Sequence, residues 1–247
     1  SKANNTLRAY QSDFKDFSSF CAKNGFSSMP TEPKIIALYI TNLSKTSKFS
    51  TLKRRIASIS VIHKLKGHHL DTKHPTIMEN LHGIKRTLGS RQKAKKPILI
   101  NDLKLIIKAL DEEKKEKLRN RALILVGFAG GFRRSELVNL ENDDIEFVDE
   151  GVKILIKRSK TDQSGEGVIK AIPYFDNQEF CPVIALKEYM KSKSETKNNK
   201  KIFEISDKSV ALIIKRYVEI AGLDPSRYAG HSLRSGFATT AAEFGAE

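Results

Sequence analysis

Apolar positions recur at helical spacing through the first third of the chain. Leu7, Tyr10, Phe14, Phe17 and Cys21 form one stripe of a helix predicted over residues 6–23, with Gly25 as its stop. Pro30 and Pro33 punctuate a loop, and residues 34–43 are apolar enough for a short buried helix. Ser50 is the predicted N-cap of a helix that carries Leu52, Ile56, Ile59 and Ile62 on one side and Lys53, Arg54 and Lys64 on the other. A further helix spans residues 76–88 and ends near Gly89. Residues 90–97 (SRQKAKKP) are short, polar and basic, which marks a linker. The boundaries expected are a helical domain over 1–92, a basic linker over 93–97 and a second domain over 98–247.

The second part starts helical and then changes period. Asn101 is the expected N-cap of a helix running to Leu110, residues 118–130 form a markedly apolar helix, and residues 134–140 form another. Strand-like alternation follows over 145–148, 152–157 and 168–172. Asp149-Glu150-Gly151 is the predicted turn of the first pair, and residues 158–167 connect the second. Helices return at 182–190, at a segment capped by Ser206 and closed by Gly222, and at 231–244, with a charged loop over 191–201. The fold class expected is mostly α with a small antiparallel sheet: a helical domain followed by a mixed α+β domain.

Charge sharpens this division. The 247 residues carry a formal net charge of +15. Residues 1–97 hold 19 Lys and Arg against 5 Asp and Glu, whereas residues 98–247 hold 25 against 24. A basic domain joined to a neutral one suits a DNA clamp attached to a catalytic body, although a merely soluble basic surface fits the charge equally. The basic stretches lack the Trp- or Phe-rich face of a membrane-surface helix, and no apolar run approaches ~20 residues. The two cysteines, Cys21 and Cys181, show no CxxC spacing and suggest neither a disulfide framework nor a zinc site. The cytoplasm is the expected location, with association to the nucleoid when DNA is bound.

Three groups of residues carry candidate chemistry. Gly131-Phe132-Arg133-Arg134-Ser135-Glu136-Leu137 follows the apolar helix, Ser159-Lys160-Thr161 sits in the second hairpin connection, and Gly230-His231-Ser232-Leu233-Arg234 opens the last helix. Each has a bland reading: a helix ion pair for Arg133 and Glu136, a solvated lysine for Lys160, a chance His-x-x-Arg pair. Their order and spacing change the balance, because together they resemble the boxes of the tyrosine recombinase (phage integrase) family. Thr6-Leu7-Arg8-Ala9-Tyr10 with Asp13, Phe14, Phe17 and Phe20, the basic segment Ser50–Arg55 and His82-Gly83-Ile84-Lys85-Arg86 are similar to that family's DNA-binding domain. The resemblance covers essentially the whole chain.

The resemblance implies a site-specific DNA recombinase, or integrase of a mobile element, that works through a covalent 3′-phosphotyrosyl intermediate. It selects Arg133 over Arg134 as the first arginine, because the family's arginine stands two residues after the glycine. Arg133 and Arg234 then hold the non-bridging oxygens of the scissile phosphate, Lys160 protonates the leaving 5′-oxygen and His231 bonds the phosphate or exchanges a proton. Glu136 is expected to support the turn. No cofactor, metal or ATP is implied. Lys48, Lys53, Arg54, Arg86, Lys93 and Lys95 are the expected contacts to double-stranded DNA. In the family the nucleophilic tyrosine follows the second arginine; here residues 235–247 hold no Tyr, His or Trp. The expectation is therefore a catalytic domain incomplete at its C-terminus, which binds DNA as a monomer on each half-site without cleaving it, whereas the full-length form is a tetramer on paired sites. Two other readings remain: a non-catalytic DNA-binding accessory protein on the same scaffold, and a type IB topoisomerase.

Overall fold

The structure is a computed structural model that describes residues 4–89, 95–110, 116–157, 167–193 and 200–245. It divides into two compact units, Ser1–Lys93 and Ala94–Glu247. The architecture is mostly helical with one small antiparallel sheet, the expected class. No helix among the described residues is long and apolar enough to cross a membrane.

The first unit contains α1 (Asn4–Lys23), α2 (Pro33–Ser44), α3 (Phe49–Leu65) and α4 (Pro75–Leu88). Proline opens α2 and α4, where its missing N–H costs nothing. The cap expected at Ser50 is absent: the N-cap of α3 is Lys48, two residues earlier, with no side-chain cap bond. The interior gathers Phe17, Ile36, Tyr39, Ile40, Leu52, Ile59 and Ile77, with the rings of Phe17 and Tyr39 edge-to-face at 5.1 Å.

Polar groups tie α1 to α3. The buried carboxylate of Asp13 accepts a 2.7 Å hydrogen bond from the Ser58 hydroxyl and pairs with both Arg54 and Arg55. Arg55 also reaches Asp16 at 3.3 Å, and Asp16 accepts from the Tyr39 hydroxyl at 2.6 Å. A carboxylate so deeply buried is tolerable because cations and a hydroxyl surround it.

The second unit is built on α6 (Lys117–Ala129), whose residues from Ala122 to Phe128 are all buried. Such a helix has no solvent face, which explains its near-continuous apolar sequence. Around it lie α5 (Ile100–Lys108), α7 (Arg134–Leu137), α8 (Pro182–Ser192), α9 (Asp207–Ile220) and α10 (Ser232–Glu243). The sheet, in the order β1 (Ile145–Val148), β2 (Gly151–Ile156) and β3 (Val168–Pro173), is antiparallel throughout.

Several boundaries differ from the sequence reading, each for a local reason. Asn101 lies inside α5, whose N-cap is Leu99. The helix expected over 134–140 is a single turn, because the chain must turn into a bridge between Glu141 and Lys201. Gly151 is a strand residue paired with Val148, so the turn is Asp149-Glu150 alone. A Cβ at Gly151 would lie 2.1 Å from the Ile172 carbonyl oxygen, so close strand approach requires glycine there. Ser206 does cap α9, accepting from the Ser209 amide at 3.1 Å.

His63 gives the first unit a pH dependence. It is fully buried on α3, its Nδ1–H donating to the Ile59 carbonyl at 2.9 Å, and Nε2 has no hydrogen-bond partner among the described residues. Burial pushes its pKa below the ordinary histidine value of 6.5, opposed only in part by the bond to Ile59. The folded unit thus holds the neutral ring, and its contribution is complete above the unfolded pKa and lost as pH falls below it. Urea unfolding followed from pH 7.5 to 5 should show falling stability, and His63→Met should flatten that slope; an unchanged slope would remove His63 as its source.

Candidate active site

The site begins where α6 ends. Gly130 caps the helix, and Gly131 takes a left-handed φ of 55°. A Cβ at Gly131 would also meet the Phe237 ring at 2.7 Å, so both conformation and space demand glycine. This turn sends Phe132 into the core and brings Arg133 out as the N-cap of α7. There Glu136 holds Arg133 twice. One carboxylate oxygen accepts from the Arg133 amide at 2.8 Å, the other from its guanidinium at 2.7 Å. The Glu136 side chain is only 4% exposed, against 21% for Arg133, so the carboxylate lies beneath a partly open cation. That geometry makes Glu136 an anchor.

Arg234 arrives from α10, 103 residues later, and donates to the Gly131 carbonyl at 2.8 Å. The arginines thus meet at one turn: Arg133 grows from it and Arg234 hydrogen-bonds to it. His231 occupies the N-cap position of α10, one helical turn before Arg234, and is exposed. Gly230 explains how this loop approaches α7. A Cβ there would sit 2.1 Å from Arg134 Cδ and 2.6 Å from its Nε, so the Arg134 side chain lies directly against Gly230. Arg134 also reaches the Asp207 carbonyl at 3.4 Å. Its place is beneath the His231 loop.

The same loop is held from its other side by residues 95–98. The Lys96 amide donates to the Arg227 carbonyl at 2.7 Å and the Ile98 amide to the Ser232 carbonyl at 2.9 Å. Lys95 Nζ donates to the Ser226 carbonyl at 2.5 Å. Buried Asp102 accepts from Lys96 Nζ at 2.9 Å and from the Tyr228 hydroxyl at 3.1 Å. Tyr228 is thereby committed to packing and to Asp102. Gly236 lets α10 come this close, since a Cβ there would be 1.9 Å from the Ile98 carbonyl oxygen.

One residue of the site was missed from sequence. Lys170 on β3 donates from Nζ to the Gly130 carbonyl at 2.5 Å and lies 5.1 Å from the centroid of the Phe132 ring. Burial pushes its pKa down, Glu136 raises it, and the charges of Arg234 and Arg133 lower it further. A signal existed in the alternation of β3. Val168 and Ile169 are exposed, whereas Lys170 shares the inward register with buried Ile172. A lysine on the core side of a strand needs a partner.

Of the other expected site residues, Lys160 and Lys93 lie outside the described residues. Lys48, Lys53, Arg54 and Arg86 are exposed on the first unit, with Arg54 paired to Asp13. Arg86 lines a cleft of about 390 Å³ with His82, Lys85 and Gly89 at the end of α4. Lys95 belongs to the second unit and is held at Ser226.

Comparison with known proteins gives this geometry a context. Residues 96–247 match the phage integrase family. Over 256 aligned residues the chain is 42% identical to an integrase/recombinase, the xerD homolog, of Selenomonas ruminantium, covering 98% of this chain and 75% of that one. It is 27% identical to the tyrosine recombinase XerC of Staphylococcus aureus, over 63% of this chain and about half (51%) of that protein's length. Among solved structures, the XerH site-specific recombinase bound to its difH substrate before cleavage aligns with a TM-score of 0.67 at 17% identity, covering 98% of this chain and 69% of that one. A λ integrase tetramer bound to a Holliday junction aligns with a TM-score of 0.60 at 19% identity, covering 98% and 68%. At those identities the structural matches establish the fold, and the sequence matches establish descent: this chain belongs to the phage integrase, or tyrosine recombinase, family.

Proposed function

We propose that the protein is a site-specific DNA recombinase whose second unit carries the strand-transfer chemistry and whose first unit and linker grip the duplex. The observation that carries this reading is the hydrogen bond from Arg234 to the Gly131 carbonyl, which seats two arginines from distant elements on one turn. Cations brought so close call for an anion, and a phosphodiester supplies one.

In the reaction a tyrosine oxygen attacks the scissile phosphorus, forming a 3′-phosphotyrosyl bond as the bond to the 5′-oxygen breaks. Negative charge grows on the non-bridging oxygens during this displacement. Arg133 and Arg234 neutralise it with planar, permanently charged forks. Glu136 presets Arg133 and touches no reacting atom. His231, exposed at the mouth of α10, donates to the phosphate or exchanges a proton with the tyrosine. Lys160 protonates the departing 5′-oxygen, balancing the proton lost from the phenol.

None of the six tyrosines follows Arg234 in the 247 residues. Tyr39, Tyr189, Tyr217 and Tyr228 are buried, and Tyr228 bonds Asp102. On this reading the 247-residue polypeptide binds DNA without a covalent adduct, one copy to a half-site. In the full-length form four copies assemble on paired sites, as λ integrase does on a Holliday junction. An apolar groove of about 610 Å³ between α5, α6, β3 and α10, with Phe237 and Phe244 exposed along it, supports burial of that face against a neighbouring protomer's polypeptide in this assembly.

Phosphate contacts by Lys48, Lys53, Arg54, Arg86, Lys93 and Lys95 predict a steep salt dependence, with a slope of log K against log salt of about −5 for six contacts. Lys53→Ala should reduce that slope by about 1; an unchanged slope removes Lys53 from the interface. In protein expressed from the complete reading frame, Arg133→Ala and Arg234→Ala should each lower cleavage of a labelled suicide substrate by about 10³-fold or more while duplex affinity changes little. Equal cleavage by either variant and the wild type defeats the proposed mechanism. Gly230→Ala should also slow cleavage, because the added methyl displaces Arg134 and the His231 loop with it; the relief expected from the double variant Gly230→Ala/Arg134→Ala separates this cause from general damage.

A further inference from the structure

The geometry points to Lys170 as a positioning residue for both arginines, acting through the Gly130–Gly131 turn; this rests on the phosphate-binding reading of the site. The turn has two successive carbonyls, and each is held by a cation from a different element. Gly130 accepts from Lys170 Nζ at 2.5 Å, and Gly131 accepts from Arg234 at 2.8 Å. Arg133 follows two residues later, with its amide and guanidinium fixed by Glu136. Any rotation of the Gly130–Gly131 peptides therefore moves the acceptor of Arg234 and the backbone of Arg133 together.

Glycines give such a turn little resistance of their own. Gly131 has no side chain to wedge it, and its left-handed conformation is one of several that glycine adopts readily. Lys170 supplies the missing restraint. Its backbone is fixed in β3 by pairing with Ile154 in β2, so the ammonium reaches the turn from a rigid base. The Phe132 ring lies under the same ammonium at 5.1 Å, and that ring is itself buried. Burying a lysine beside two arginines is unfavourable, as the lowered pKa of Lys170 records. A leucine or methionine at this inward strand position would pack without that penalty. The charged end is accounted for by the carbonyl it grips.

The arrangement is testable in the 247-residue polypeptide with inorganic phosphate as the probe, read by the side-chain Nε–H resonances of Arg133 and Arg234. In the wild type both resonances should move together on titration. Lys170→Met should weaken phosphate binding about tenfold, the size expected for loss of one charge-assisted hydrogen bond. It should also shift the Arg234 resonance before any phosphate is added, while the thermal midpoint stays close to wild type. Lys170→Arg, which keeps a donor over Phe132, should restore both readouts, and Lys170→Gln serves as a second, polar truncation if the methionine variant folds poorly. Phosphate affinity within about twofold of wild type in Lys170→Met and Lys170→Gln overturns the role of Lys170. So does a loss that tracks the thermal midpoint and persists in Lys170→Arg. Absence of any response in the wild type is a different failure: the phosphate site itself is then wrong, and the role of Lys170 goes with it.

Discussion

A single two-glycine turn organises the second unit. Gly130 and Gly131 end a helix whose residues from Ala122 to Phe128 are all buried, and the carbonyls exposed by that ending become acceptors for Lys170 and Arg234. Helix ends always leave carbonyls without intrahelical partners. Here those orphan groups are used to gather positive charge from a strand and from a helix 103 residues away in sequence. The negative end of the α6 dipole points the same way and favours cations there. The turn also releases Arg133, so the site's geometry follows from how one helix stops.

Concentrating cations in this way has a cost, because like charges repel and burial withholds water from them. Glu136 offsets part of it. Its carboxylate is buried and serves Arg133 through both backbone and side chain, which leaves the arginine charged but fixed in direction. A bound phosphate would offset the rest. Carbonyls and one carboxylate thus hold the donors in place, and a phosphate bound as proposed would meet donors already aimed. Such preorganisation is what lets electrostatic stabilisation act without reorganising the protein during reaction.

Much of this was legible in the sequence, and the exceptions have physical causes. Helices with a clear stripe or an all-apolar run, such as α1 and α6, declared themselves because burial alone decides their pattern. Caps were harder: Ser50 and Asn101 have the right chemistry for capping, yet the N-caps of α3 and α5 fall two residues earlier, at Lys48 and Leu99, and make no side-chain cap bond. Arg133, His231 and Arg234 could be singled out because their order and spacing resemble the boxes of the family. Glycine roles could not be separated by type. Gly131 answers to conformation and to Phe237, Gly230 to Arg134, and Gly151 to the facing strand. Lys170 was missed because a lysine in a strand reads as surface until register puts it on the same face as Ile172. The hairpin residue Lys160 lies outside the described residues, so the sequence alone speaks for it.

The loop that bears His231 shows how much of the second unit goes into placing one exposed side chain. His231 and Gly230 lie between two supports that share no residues. Arg134 presses from the side of α7, and residues 95–98 pair with it along the other edge through Arg227 and Ser232. Asp102 completes the second support by joining Lys96 to Tyr228. Residues 95–98 are also the first described residues after the segment that joins the two units. Along the chain, Lys95, Lys96 and Ile98 bond in turn to Ser226, Arg227 and Ser232 of the loop. A histidine exposed at a helix N-terminus has little packing to hold it, so its position is set by whatever holds its loop. The position of His231 is therefore tied to residues 95–98 by the hydrogen bonds that hold its loop.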